Sequence, residues 1–358
     1  MPSLKEIKGR INSISSTLAI TSAMKMVAAA KLQKAQMAIQ NMLPYERRLY
    51  SMLLDLMGAM NISAAASEDG SVRGSGSAER GFDQSGDRLS LSNRHDLAGM
   101  DGAYSLMAQR EVRKVAIVAF ASNSSLCGAF NSNVIREATA VINEYRASGL
   151  GDADITVYSV GRKMAEAMKK LGFPSPADFT KMSDSPSYDA ASALAQELLD
   201  GFVSGRFDKV ELVYNHYKST SSQPTIRQTY LPLSLADATA DLQAGKIADS
   251  ASESDTNRGA EPVGAPVVRQ GSPTTEDLIV EPSKEELIAT LLPKVVRLRV
   301  FTTLLDSTAA EHAARTVAMQ LATDNGNDLL QELTLEYNKG RQQKITSEIL
   351  DLVGGSMQ

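Results

Sequence analysis

LKEIKGRINSISSTLAITSAMKMVAAAKLQKAQMAIQNML, residues 4–43, decides the architecture. Alternating steps of three and four from Leu4 land on Ile7, Ile11, Ile14, Leu18, Thr21, Lys25, Ala28, Leu32, Ala35, Ile39 and Met42. The same count continues through Glu46, Leu49, Leu53, Leu56 and Met60. Only Thr21, Lys25 and Glu46 break the apolar run, so this is an a/d heptad seam. At 1.5 Å per residue, a helix from Ser3 to Met57 is a rod ~80 Å long, against a radius of gyration of ~20 Å for a compact domain of this size. The helix therefore projects beyond any globular body. Pro44 is expected to bend it or to mark a local break.

A second rod is expected at the other end. Ser283-Lys284-Glu285-Glu286 has the S-x-x-E capping-box spacing. Pro293 should split off a short piece near 283–291, leaving a helix from Leu292 to Val353 of ~60 residues. The run AAEHAARTVAMQLAT (residues 309–323) is rich in small side chains, which let helix axes approach closely. Gly326 and Gly340 each cost about 1 kcal/mol relative to Ala, and flexing is expected there. Neither rod can bury its stripe alone, so each is the partner of the other. Both enter from the middle of the chain and pair antiparallel. If the second is the longer, its last turns stand bare.

Between the rods, strand and helix patterns alternate. Strands are expected at Val112–Phe120, Ile155–Val160, Lys209–Tyr217 and Thr225–Leu233, and helices at Asn131–Ala147, Lys163–Leu171 and Tyr188–Val203. Asn131, Ser132 and Asn133 are available to cap the first of these helices. Alternation of this kind implies a mostly parallel sheet. The fold class is thus α/β: a long antiparallel coiled coil of N- and C-terminal helices plus a central Rossmann-like α/β domain. Two stretches, Ser63–Asp101 and Ala238–Asp277, are rich in Ser, Gly and charge and lack apolar periodicity, which reads as surface insertions. The expected division is 1–60 and 281–358 for the rods, 111–234 for the α/β domain, and 61–110 and 235–280 for the insertions.

Composition narrows the function. The 358 residues carry a net charge of −5, which argues against a dedicated nucleic-acid binder. Yet residues 1–50 hold eight Lys/Arg against Glu6 and Glu46, a basic shaft suited to acidic partner surfaces. One cysteine excludes an internal disulfide, and three His with one Cys leave little for a zinc site. The polar start MPSLKEIKGR is no signal peptide. The longest apolar run, VAIVAFA (115–121), is far short of the ~20 residues that span a bilayer, so any membrane association is expected to be indirect.

Catalytic signatures are sparse. There is no phosphate loop, no Rossmann glycine fingerprint and no H-E-x-x-H. Ser22-Ala23-Met24-Lys25 matches S-x-x-K, but it lies mid-rod with no K-T-G elsewhere. Cys127 would need an oriented His to act as a nucleophile, and its place beside Gly128 at a strand-to-helix turn reads as structural. No cofactor or metal is expected.

ITSAMKMVAAAKLQKAQ (20–36), SLCGAFNSN (125–133) and ARTVAMQLATDNGNDLLQELTLEYNKGRQQKITSEILDLVGG (314–355) resemble the gamma-subunit family of F-type ATP synthases. LVYNHYKSTSSQPT (212–225) and LIVEP (278–282) fit less sharply, and SNSSLCGAFN departs from the commoner D-R-G-L-C-G-G-L-N. The resemblance covers both rods and most of the α/β body but neither insertion. It implies a rotary, non-catalytic central-stalk subunit, one copy per complex. Its partners would be the alpha and beta subunits, the epsilon subunit and the membrane rotor ring. Its place would be peripheral, on the cytoplasmic side of a bacterial inner membrane. It also assigns contacts residue by residue. Arg341, Gln342 and Thr346 match a polar cluster that meets a beta-subunit loop. Met24 and Lys25 match the position facing the beta lever segment, and Glu281 matches a foot residue at the membrane ring. The competing readings are a non-rotary coiled-coil scaffold or tether and a small-molecule enzyme in the α/β body.

Overall fold

The computed structural model describes residues 3–59, 106–233 and 284–355. Two helices dominate it: α1 (Leu4–Ala59) and α6 (Lys284–Gly355), which is 72 residues long. Ser3 starts α1, its hydroxyl accepting the Glu6 N–H at 3.2 Å. Every seam position of α1 with a described side chain is buried or half-buried. The pairing is antiparallel. Thr21 and Thr323 hydroxyls meet at 3.1 Å, and Leu32 and Ala35 pack with Ala309 and Ala313. A Cβ on Gly326 would stand 2.7 Å from Leu18 Cδ2, and one on Gly340 3.1 Å from Leu4 Cδ2. The glycines expected to flex the rod are therefore close-approach sites instead. Beyond Gly340 the residues of α6 with described side chains are exposed, a single bare helix.

Neither proline interrupts its helix: Pro44 marks no break in α1, and the short piece expected before Pro293 is continuous with the rest of α6. Pro44 stands on the exposed side of α1, where its missing N–H disturbs no packing. Around Pro293, Ile288, Leu292, Val295 and Val296 are all buried in the main core. Burial at about 1.5–3 kcal/mol per large side chain outweighs the roughly 3 kcal/mol cost of the proline. Ser283, Glu281 and the two insertions, apart from the start of the body at Leu106, lie outside the described residues.

The body is a four-stranded sheet in the order β2-β1-β3-β4, with β1 Val115–Phe120, β2 Ile155–Val160, β3 Lys209–Asn215 and β4 Thr225–Leu231. β1 pairs parallel with β2 and β3; β4 is antiparallel to β3. Helices α2 (Phe130–Ala147) and α3 (Arg162–Lys170) cover one face, packing on Val115, Ile117 and Ala119. The short α4 (Thr180–Asp184) precedes α5 (Tyr188–Val203). On the other face, Ala116, Val118 and Phe120 meet α5, the end of α1 and the root of α6. The two-residue alternation of a strand thus divides one apolar run between two cores.

Three strand ends fall short of expectation, each for a local reason. β1 starts at Val115 because the Arg113 and Lys114 N–H groups donate to Asp208 Oδ2 at 3.0 and 2.9 Å. β4 ends before Pro232, which has no N–H for the ladder. β3 ends at Asn215 because Tyr217 N–H turns away to Asp306 of α6. The cap of α2 also differs: Ala129 holds the N-cap position, while Asn131 Oδ1 accepts the Ser122 N–H at 3.0 Å.

Candidate functional site

In open α/β sheets, ligands bind outside the carboxyl ends of the parallel strands. Here α6 lies across those ends. Phe120 at the end of β1, Ala121 just after it, Val160 of β2 and Ser183 of α4 close on Leu304, Ser307, Thr308 and Glu311 of α6, leaving no space a water could occupy. Gly161 turns the chain away from β2 at φ +96°, where a Cβ would strike the Ala121 carbonyl at 2.0 Å. The rod occupies the crevice in which a substrate would sit.

Beside it opens a cleft of about 320 Å³ at the notch between rod and body. Met24, Val27 and Lys31 line it from α1, Glu311, His312 and Arg315 from α6, and Ser124 and Asp184 from the body. Arg315 holds the notch together, donating to Glu311 Oε1 at 2.6 Å and to the Ser125 carbonyl at 2.8 Å. Burial pushes the Glu311 carboxyl above the usual carboxylate range, and Arg315 offsets only part of that. Burial, then the charges of Lys31 and Arg315, lower His312 to about 4, so it is neutral at pH 7. Its Nδ1 is buried with no hydrogen-bond partner among the described residues. The adjoining loop carries Leu126 at φ +68° with its side chain 61% exposed, an unusual backbone state for a non-glycine residue. Cys127 is buried there against Asn131 Nδ2 at 3.1 Å and Ser122 Oγ at 3.7 Å.

Met24 lines the notch. Lys25 is half-buried on the seam. Of the three non-apolar seam residues, Thr21 meets Thr323 and Glu46 Oε1 accepts from Thr302 Oγ1 at 3.1 Å. Lys25 has no such partner among the described residues. Arg341, Gln342 and Thr346 lie exposed on the bare tip, where the Thr346 hydroxyl donates to the Gln342 carbonyl at 2.9 Å. Since Thr21 faces Thr323 and Leu4 faces Gly340, Lys25 lies level with Met319, and the tip cluster stands about 33–40 Å further along the rod. The fold therefore keeps the two sets of expected contact residues apart, on one shaft. Glu281 lies outside the described residues.

The ATP synthase family profile matches residues 3–357. The chain is 47% identical to the ATP synthase gamma chain of Phocaeicola vulgatus and 46% identical to that of Bacteroides thetaiotaomicron, over the full length of each. The chain belongs to the ATP synthase gamma-chain family. A chain of the Euglena gracilis mitochondrial ATP synthase shares the fold, with a TM-score of 0.52 over 99% of this chain and 93% of that one at 19% identity. Gamma chains form the rotary central stalk of an ion-transporting complex, so this one is a component of a membrane-associated assembly. Among the described residues no helix is long and apolar enough to cross a membrane. Glu311, His312 and Arg315 were not singled out by sequence reading; their only signal was the i,i+4 spacing of Glu311 and Arg315 in the small-residue run.

Proposed function

We propose that this gamma chain is the non-catalytic axle of its complex, coupling ion flow to the ATP chemistry of the beta subunits by unequal contact. One rod presents different side chains at each height and azimuth. Inside a ring of alternating alpha and beta subunits it touches no two beta subunits alike. Only such differential contact can bias conformational equilibria, and it does so reciprocally. Ion flow supplies about 2.3 kcal/mol per charge per 100 mV, so several charges must contribute to each ATP through a shaft that does not slip. In this reading Met24 in the notch and Lys25 on the seam meet a beta subunit, and Arg341, Gln342 and Thr346 meet one at the tip. Glu281 meets the membrane rotor ring, and the epsilon subunit lies beside the body. The boundaries 1–60, 111–234 and 281–358 mark the functional parts. One copy serves each complex, on the cytoplasmic side of a bacterial inner membrane, with neither cofactor nor nucleic acid.

The observation that carries the reading is the half-buried Lys25, without a partner among the described residues, on the same asymmetric rod as an exposed tip. The test is an Arg341→Cys chain assembled with alpha and beta subunits and cross-linked to a cysteine in beta. Turnover should stop on oxidation and return on reduction. Continued turnover with a complete cross-link overturns the axle in favour of a static scaffold.

A further inference from the structure

Where β3 ends, the body reaches out to the rod. His216 Nδ1 lies 2.6 Å from Asp306 Oδ2 on α6, and Asp306 Oδ1 accepts the Tyr217 N–H at 2.8 Å. The Tyr217 hydroxyl accepts a hydrogen bond from Gln36 Nε2 of α1 at 2.7 Å. Its side chain packs against both the small cluster between the rods around Ala35 and Ala309 and the one between α6 and the body around Phe130 and Ala310. Tyr217 thus touches both helices and the body at one level.

The loop that carries it is stiff. The His216 N–H donates to the Pro224 carbonyl at 2.9 Å. Ser219 and Ser222 form a bridge, and Gln223 Nε2 donates to the Ser219 and Thr220 carbonyls at 3.0 and 2.6 Å. Beside the apolar core at the rod's root and the Arg315–Ser125 bond, this hairpin is a polar link between the body and both rods.

We propose that His216, Tyr217 and Asp306 form a protonation-sensitive clasp that locks the α/β body to both rod helices and positions them to receive torque. The proposal rests on the axle reading above. Tyr217 is the wedge, and His216–Asp306 is the releasable contact. The charged groups acting on His216 are Asp306 of α6 and Lys218 of its own hairpin; α1 contributes the uncharged Gln36 beside the Tyr217 phenol. Bonding to Asp306 holds His216 above its ordinary 6.5, against burial and Lys218. The protonated ring makes an ion pair. The neutral ring keeps one hydrogen bond and loses the charge. The clasp tightens as pH falls through the His216 range and relaxes as pH rises.

The experiment uses the assembled complex in vesicles. Exchange of the Tyr217 amide, corrected for intrinsic rate, is followed from about pH 6 to about pH 8.5, across the histidine range. His216→Lys keeps a charge throughout; His216→Gln never carries one. The natural chain should match the Lys variant at the acid end and the Gln variant at the alkaline end. The two should differ about three- to tenfold, as expected of a partly buried His–Asp pair. Ions pumped per ATP hydrolysed should follow the same order. Asp306→Asn keeps an acceptor for Tyr217 but removes the charge, so its exchange should not depend on pH. The proposal is overturned if the natural chain behaves like one variant at both ends, or if pumping per ATP does not change with exchange. A natural chain that restores no pumping to complexes lacking it refutes the axle reading instead, and the exchange comparison still judges the clasp.

Discussion

Glu211 shows how a single buried charge is held in this molecule. It is 1% exposed, yet it accepts from Arg227 Nε, Lys209 Nζ and the Tyr145 hydroxyl, each at 2.7 Å. Burial alone would raise its carboxyl, but those three hydrogen bonds outweigh it and hold the group below the usual range. Glu211→Gln keeps one acceptor oxygen but removes the carboxylate charge that Lys209 and Arg227 share, while Arg227 keeps Glu144. It should cost about 1–3 kcal/mol in denaturant unfolding. His312 makes the opposite case. Its folded value of about 4 lies below its ordinary 6.5, so the unfolded chain binds the proton first as pH falls. Stability should decline between pH 6.5 and 4, by roughly 2–3 kcal/mol in all. His312→Gln should flatten that part of the unfolding-versus-pH curve. A slope unchanged by the substitution would show that His312 is not its source. Neither residue was legible in the sequence. Glu211 sits in an ordinary strand, and His312 differs from its neighbours only through a fold that brings Lys31 across from α1.

At the scale of elements, the rods were legible because their signal is local and periodic. Sixteen heptad-spaced positions from Leu4 to Leu56 need no knowledge of the partner. β1 and β2 were legible as short apolar runs. Errors arose where a distant group intervened. The end of β3 was hidden because His216 and Tyr217 answer to Asp306, about ninety residues away. The glycines of α6 were misread as weak points because propensity alone ignores what faces them. Gly326 faces Leu18, and the crossing predicts its own mutational pattern. Gly326→Val should destabilise the coiled coil by about 1–3 kcal/mol through overpacking. Adding Leu18→Ala should recover most of that, a coupling readable in a double-mutant cycle. Strict additivity would mean that the two positions do not touch.

The whole molecule is set by two lengths. The 72 residues of α6 span about 110 Å, while the body is a four-stranded sheet with its helices. X-ray scattering of the purified chain should give a maximum dimension of at least about 100 Å; a compact particle would contradict the antiparallel rod. The notch is a property of this scale alone, since Met24, Ser124 and Arg315 converge only when both rods dock on the body. The Asp306 contact and the exposed tip likewise depend on α6 leaving the sheet as one unbroken helix. That rod also has a consequence for biosynthesis. More than two hundred residues separate Ala59 from Lys284, so α1 leaves the ribosome long before its mate is translated. At ~5–20 residues per second the oily stripe of the nascent helix stays bare for roughly 10–50 s. Such a chain invites premature self-association unless a holdase covers the stripe, and cells short of holdases should accumulate aggregated stalk.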